Sequence, residues 1–157
     1  MANQISTKPQ ESVNAANPGM QAFPKRSVPV AGTTVRVADL AAAVKMPNPV
    51  PADEKSVAQG EHLFKIYCTP CHGESGTGDG LAGAKLILKP WDLTPTGRLM
   101  DTKTYPDGHI WGYMTLGGAV MPPYANDLSV TERWHVVNYI RKVLQKMPAA
   151  QAVSQAK

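Results

Sequence analysis

Cys68-Thr69-Pro70-Cys71-His72 is the stretch that decides how this chain folds. A C-x-x-C-H run is the attachment pattern of a c-type haem: two thiols add to the porphyrin vinyl groups, and the adjacent His supplies an axial nitrogen to the iron. Cys68 and Cys71 are the only cysteines in 157 residues. A zinc site would need a second C-x-x-C or an H-x-x-x-H to complete a tetrahedron, and the sequence has neither. A thioredoxin-like pair would need a strand before it and a helix opening at the first Cys. Here a helical stretch precedes the run and glycines follow it, so one covalently bound haem is the expected cofactor.

Upstream, Ser56-Val57-Ala58-Gln59 matches the capping box that opens a helix, and order is expected from Asp53 onward. Val57, Gly60, Phe64 and Tyr67 then recur at helical spacing up to the first Cys. Gly60 costs about 1 kcal/mol against Ala inside a helix. Its compensation is that a second helix can cross close by, with Phe64 filling the crossing one turn later. The expected partner lies near the other end, where Ser129-Val130-Thr131-Glu132 is a second capping box. Trp134, Val137, Ile140 and Leu144 form one apolar stripe there, with Val136, Tyr139 and Val143 beside it. That helix should end near Lys146, its last turn carrying Arg141, Lys142 and Lys146, before Pro148.

Between these helices, Gly73, Gly76, Gly78 and Gly80 predict a turn-rich loop, and Ala82 to Leu88 a short helix. Lys89 to Pro95 is a proline-bracketed loop. Its Trp91 is either a packed aromatic or an indole donor to a haem propionate, and Arg98 is either a solvated charge or a propionate partner. Asp107 to Leu116 reads as a helix ended by Gly117-Gly118, followed by the extended stretch Ala119 to Tyr124. Trp111 and Tyr124 are candidates to pack on the haem, with ordinary core packing as the alternative.

A second axial ligand must come from Met100, Met114, Met121, His62, His109 or His135. Met121 stands out because it lies in a loop after a helix–glycine break, and Pro122 and Pro123 fix φ and remove two N–H donors beside it. Met114 is the alternative. A His72/Met121 pair fills both axial positions and suits one-electron transfer more than oxygen or peroxide chemistry. No Ser/His/Asp constellation or carboxylate pair suggests independent catalysis, so a non-enzymatic electron carrier is expected.

The 14 prolines and 13 glycines forecast much irregular structure and few strands. Residues 1–52 read as an extended Pro-rich arm, with only Val37 to Val44 suited to a short helix. A domain over 53–147 and a tail over 148–157 follow. The net charge is +4, of which residues 1–50 contribute +3, from Lys8, Lys25, Arg26, Arg36 and Lys45 against Glu11 and Asp39. These basic residues are dispersed, which argues against a nucleic-acid surface. No apolar run approaches the length of a transmembrane helix and no signal-peptide core is visible. Covalent haem attachment takes place outside the cytoplasm, so export by a leader outside this numbering is expected.

Gly60 and Phe64, then Cys68, Cys71 and His72, then Met121-Pro122, then Val136 and Tyr139 together resemble the class I c-type cytochromes over residues 54–145. That resemblance implies an all-α fold in which the first and last helices cross beside one haem. Within the class, YCTPCHGESGTGDG, PWDLTP, DGHIWGYMTLGGAVMPPYA and LSVTERWHVVNYIRKV look most like the monohaem cytochrome c subunit of bacterial alternative complex III, a quinol:cytochrome c oxidoreductase. This implies a membrane complex on the periplasmic side of the bacterial inner membrane. Its partners would be a multihaem cytochrome and other subunits, reached through residues 1–52, and a soluble cytochrome, another electron acceptor or a terminal oxidase. A freely diffusing periplasmic carrier is the alternative. The cytochrome subunit of a dehydrogenase, or a haem enzyme or gas sensor with a labile Met ligand, is a further one. Related sequences often place proline directly after GDG, where a carbonyl accepts a hydrogen bond from the axial His; here Leu81 stands there, its carbonyl is still available, and some rigidity is expected to be lost rather than the acceptor.

Overall fold

A computed structural model describes residues 37–146. Within them the chain forms α1 (Leu40–Val44), α2 (Glu54–Tyr67), α3 (Thr69–His72), α4 (Asp107–Leu116) and α5 (Val130–Lys142). Single 3-10 turns lie at Gly83–Lys85, Arg98–Met100 and Leu144–Lys146, and no strand occurs among the described residues. None of these helices is long and apolar enough to cross a membrane.

The start of α2 corrects the capping-box reading by one turn. Asp53 is the cap, its carboxylate accepting from the Ser56 N–H at 2.7 Å. Ser56 is thereby free for a different task. It is buried, with its Oγ 2.7 Å from His135 Nδ1 and accepting from Asn138 Nδ2 at 2.8 Å. A Ser that could cap a helix instead ties two helices together, because the aspartate three residues earlier already satisfies the first-turn amide.

Gly60 sits where α5 passes. A Cβ there would stand 2.0 Å from the His135 carbonyl oxygen and 2.9 Å from Tyr139 Cβ. Phe64, one turn on, packs its ring 5.3 Å from that of Tyr139, and Val136 and Val137 are fully buried beside them. Each such side chain contributes about 1.5–3 kcal/mol through removal from water. At the start of α5 the predicted capping box is present in both halves: Ser129 Oγ accepts from Glu132 N–H, and Glu132 Oε2 accepts from Ser129 N–H at 2.8 Å.

Arg141, expected to serve the helix dipole, does more. It donates from Nε to Asp107 Oδ1 at 2.8 Å and from its other nitrogens to the carbonyls of Leu99 and Tyr105. It thereby pins the connection between residues 99 and 107 to α5. The short helix expected over 82–88 shrinks to the turn at Gly83–Lys85, and Ile87 is fully exposed.

The boundary drawn before Asp53 falls inside packed structure. α1 is capped by Asp39, whose carboxylate accepts from Ala42 N–H at 2.8 Å. Its Ala43 is completely buried against α4, where a Cβ on Gly112 would meet Ala43 Cβ at 2.6 Å and one on Gly108 the Ala43 carbonyl at 2.2 Å. Asn48 then donates to Asn138 Oδ1 at 2.7 Å, and Asn138 Nδ2 donates to the carbonyls of Val50 and Pro51. Residues 1–36 of the expected arm, and the tail, lie outside the described residues.

Candidate haem site

The last turn of α2, the single turn α3, one face of α4 and the middle of α5 surround a cavity of about 290 Å³, closed by the segments 86–91 and 118–122. Cys68 ends α2 and begins α3, so the C-x-x-C-H run is itself a helical turn, with Pro70 near its start where the missing N–H costs nothing. The glycine-rich loop wraps this turn: Gly78 N–H donates to the His72 carbonyl at 2.8 Å and Ala82 N–H to the Pro70 carbonyl at 2.9 Å. Both cysteines line the cavity, as do His72 and Met121.

Burial, and then neighbouring Cys71, push the Cys68 thiol up to about 12. His72 is held below its ordinary value by burial, which outweighs a hydrogen bond to the Trp91 carbonyl at 3.1 Å. A neutral imidazole donating from Nδ1 keeps its Nε2 lone pair available to a metal, the arrangement that a carbonyl behind the ring imposes on a ligating histidine. The acceptor is thus Trp91, not Leu81, whose side chain is 91% exposed. Among the described residues no three His, Cys, Asp or Glu side chains gather into a metal cluster.

Met121 is positioned by a loop closed on α4 at both ends. Gly117, at φ +77°, donates to the Tyr113 carbonyl, Gly118 N–H to the Met121 carbonyl, and Tyr124 N–H to the Met114 carbonyl. Only a residue at ease with positive φ turns the chain there, which is why glycine ends α4.

A family model described as cytochrome c oxidase, cbb3-type, subunit III matches residues 55–140. The chain belongs to this family. A chain of the reducing HAO-like protein complex of Kuenenia stuttgartiensis is similar in structure, with a TM-score of 0.53 at 26% identity over 66% of this chain and 49% of that one. The present chain therefore spans about half the length of that structure. No curated protein matches the sequence. Membership makes this a cytochrome c domain with the all-α cytochrome c fold, carrying covalently bound haem c and serving electron transfer.

The cavity suits that group. Its walls are mostly aliphatic and aromatic, and it holds the two thiols, an imidazole with one nitrogen already committed, and two thioethers, Met114 and Met121. Tyr124 is on the wall, its hydroxyl donating to the Tyr67 carbonyl at 3.4 Å. Trp91 is also on the wall, but its carbonyl is the part engaged with His72. Arg98 is not on the wall; it reaches the site only through its guanidinium, 4.6 Å from the Trp91 ring centre. Trp111 is elsewhere. It is fully buried and stacked on Trp134 at 5.3 Å, because each step along a helix turns the side chain by about 100° and Ile110 already faces the cavity. Met100, His62 and His135 are likewise not on the wall, whereas His109 is. Tyr67, His109, Ile110, Tyr113 and Met114 form wall that the motifs did not single out as haem contacts. The i, i+1, i+4, i+5 spacing of the last four was the available signal.

Asp92, next to the carbonyl that holds His72, fixes the loop. It accepts from Thr94 N–H and from Thr96 Oγ1, both at 2.7 Å. Burial alone would raise the Asp92 carboxyl, but the hydrogen bonds from Thr96 and Thr94 together hold it below its ordinary value. A depressed carboxylate lends stability that is complete above the unfolded value of about 3.9 and is lost as pH falls through the lower folded value. Replacing Asp92 with Ala should destabilise the holoprotein by about 1–2 kcal/mol in denaturant titrations at neutral pH. The gap from wild type should shrink below about pH 3.

Proposed function

We propose that the chain passes single electrons through a haem attached at Cys68 and Cys71 and ligated by His72 and Met121, as a subunit of a membrane-bound, quinol-oxidising assembly. The observation that carries the reading is the meeting, on one apolar wall, of residues 68–72 and residue 121, nearly fifty positions apart in the chain. When bound, the haem supplies the one-electron couple of its iron. The chain attaches it through two thiols, orients His72 through the Trp91 carbonyl, offers a thioether from a braced loop, and excludes water with Phe64, Leu93, Ile110 and Ile140. A thioether ligand favours the ferrous state and raises the potential. Low-dielectric walls keep solvent rearrangement small as the charge changes.

Membership of an oxidase-subunit family and likeness to a chain of a reducing HAO-like protein complex support a place inside an assembly over a diffusing carrier; on this reading the assembly presents the chain on the periplasmic side of the inner membrane. Electrons would arrive from a multihaem cytochrome and leave to a soluble cytochrome, another acceptor or a terminal oxidase. The test is fractionation of the natural cell: the haem of this chain should sediment with membranes and co-purify with quinol-oxidising activity. Recovery of the haem-loaded chain in the soluble extract would favour the diffusing carrier. Removal of residues 1–36 should release the chain from its assembly with its haem spectrum unchanged, and undiminished association would exclude that segment as the attachment.

A further inference from the structure

Four buried side-chain atoms have no hydrogen-bond partner among the described residues: His109 Nε2, Arg133 Nε, Trp134 Nε1 and Gln145 Nε2. Of these residues only His109 belongs to the wall of the haem cavity. It is 9% exposed and held in an aromatic cage, 4.9 Å from the ring centres of both Tyr105 and Tyr113, with the Trp91 ring stacked on it at 6.1 Å and 14°. A polar atom stripped of water without a partner is costly, so such an atom on a ligand cavity marks a partner that comes with the ligand.

Three other polar groups of the wall are already engaged, and the Trp91 indole and the Tyr67 and Tyr113 hydroxyls are not among the buried unpartnered atoms. Lys89 donates to the Ala84 carbonyl at 2.8 Å, Tyr124 to the Tyr67 carbonyl, and His72 to the Trp91 carbonyl. The surroundings of His109 favour an anion. Arg98 lies over the Trp91 ring and forms no ion pair among the described residues, and Arg141, paired with Asp107 and bonded to the Leu99 and Tyr105 carbonyls, adds positive charge from α5. Burial, and then the charge of Arg141, hold His109 below its ordinary value, so it is a neutral imidazole with a single N–H. Haem brings two carboxylates as its anionic groups.

We propose that His109 donates a hydrogen bond from Nε2 to a propionate of the bound haem. It is thereby a positioning residue for the cofactor. This rests on the haem occupying the cavity and on a methionine, not His109, being the sixth ligand. A donor to the propionate offsets negative charge that would otherwise favour ferric iron, and so raises the potential.

The test uses the haem-loaded full chain. His109→Phe should lower the midpoint potential, and His109→Gln, which keeps an N–H donor, should restore most of the loss. Both should retain the weak far-red ferric band of Met ligation. In the diamagnetic ferrous wild type, nitrogen NMR should show a slowly exchanging proton on His109 Nε2, a readout that does not depend on the variants folding. Equal shifts in both variants, no shift in either, loss of the far-red band, or an unprotonated Nε2 would each overturn the proposal. A wild-type protein without a c-type haem spectrum would instead overturn occupancy of the cavity, and the proposal with it.

Discussion

Met121→Ala should abolish the weak far-red band of the ferric protein, open the reduced haem to carbon monoxide at neutral pH, and lower the midpoint potential by on the order of 0.1 V. Axial ligands set haem potentials over a span of about 0.8 V, so loss of one thioether is a sizeable move within it. The expectation is specific to this residue. Met114 lies on the same wall, but in α4, and is 3% exposed within the packed core. Met121 lies in a segment held by Gly118 N–H to its own carbonyl and by Tyr124 N–H to Met114, with Pro122 and Pro123 removing backbone freedom beyond it. Met114→Ala should therefore keep the far-red band while costing about 2–5 kcal/mol of stability, as truncation of a core Met does. If Met114→Ala lost the band and Met121→Ala kept it, the ligand assignment would be reversed.

Gly60→Ala should destabilise the holoprotein by about 3 kcal/mol or more, lowering its thermal midpoint by roughly 10–20 °C. In an ordinary helix the same change gains about 1 kcal/mol. Here the added methyl would stand 2.0 Å from the His135 carbonyl oxygen and 2.6 Å from its carbon. Backbone atoms cannot rotate out of the way, so α2 and α5 must separate. Separation also strains the contact of Ser56 with His135 and Asn138, and the packing of Phe64 on Tyr139. Thermal unfolding followed by circular dichroism measures the loss. A midpoint within a few degrees of wild type would show that the helices do not meet at Gly60.

What the sequence conveyed depended on the range of the interaction. The C-x-x-C-H turn, the Ser129 capping box and the span of α4 are set by residues within a few positions of one another, and their spacing was enough to read them. Gly60 was legible because a glycine inside a helix demands a reason. Hydrogen-bond partners distant in the chain were not legible. The carbonyl that receives His72 belongs to Trp91, nineteen residues on, and nothing in the pattern around Leu81 excluded the nearer choice. Ser56 was misplaced because Asp53 and Ser56 both satisfy cap chemistry, and only the arrival of Asn138 and His135 decides between them. Trp111 was grouped with the haem by its type, whereas its direction from the helix axis assigns it to Trp134. Proline-rich composition hid the packing of α1, since a five-residue helix has too little length to show a period.

The seating of α1 on α4 bears on how this chain can be held by anything upstream of it. Ala43 is keyed into α4 at Gly108 and Gly112, and Asn48 is latched to Asn138 on α5. A load applied before residue 37 is therefore delivered to the same α4 that presents His109, Tyr113 and Met114 to the cavity. From residue 37 onward the chain is thus part of the haem-bearing body, seated on two of the helices that wall the cavity.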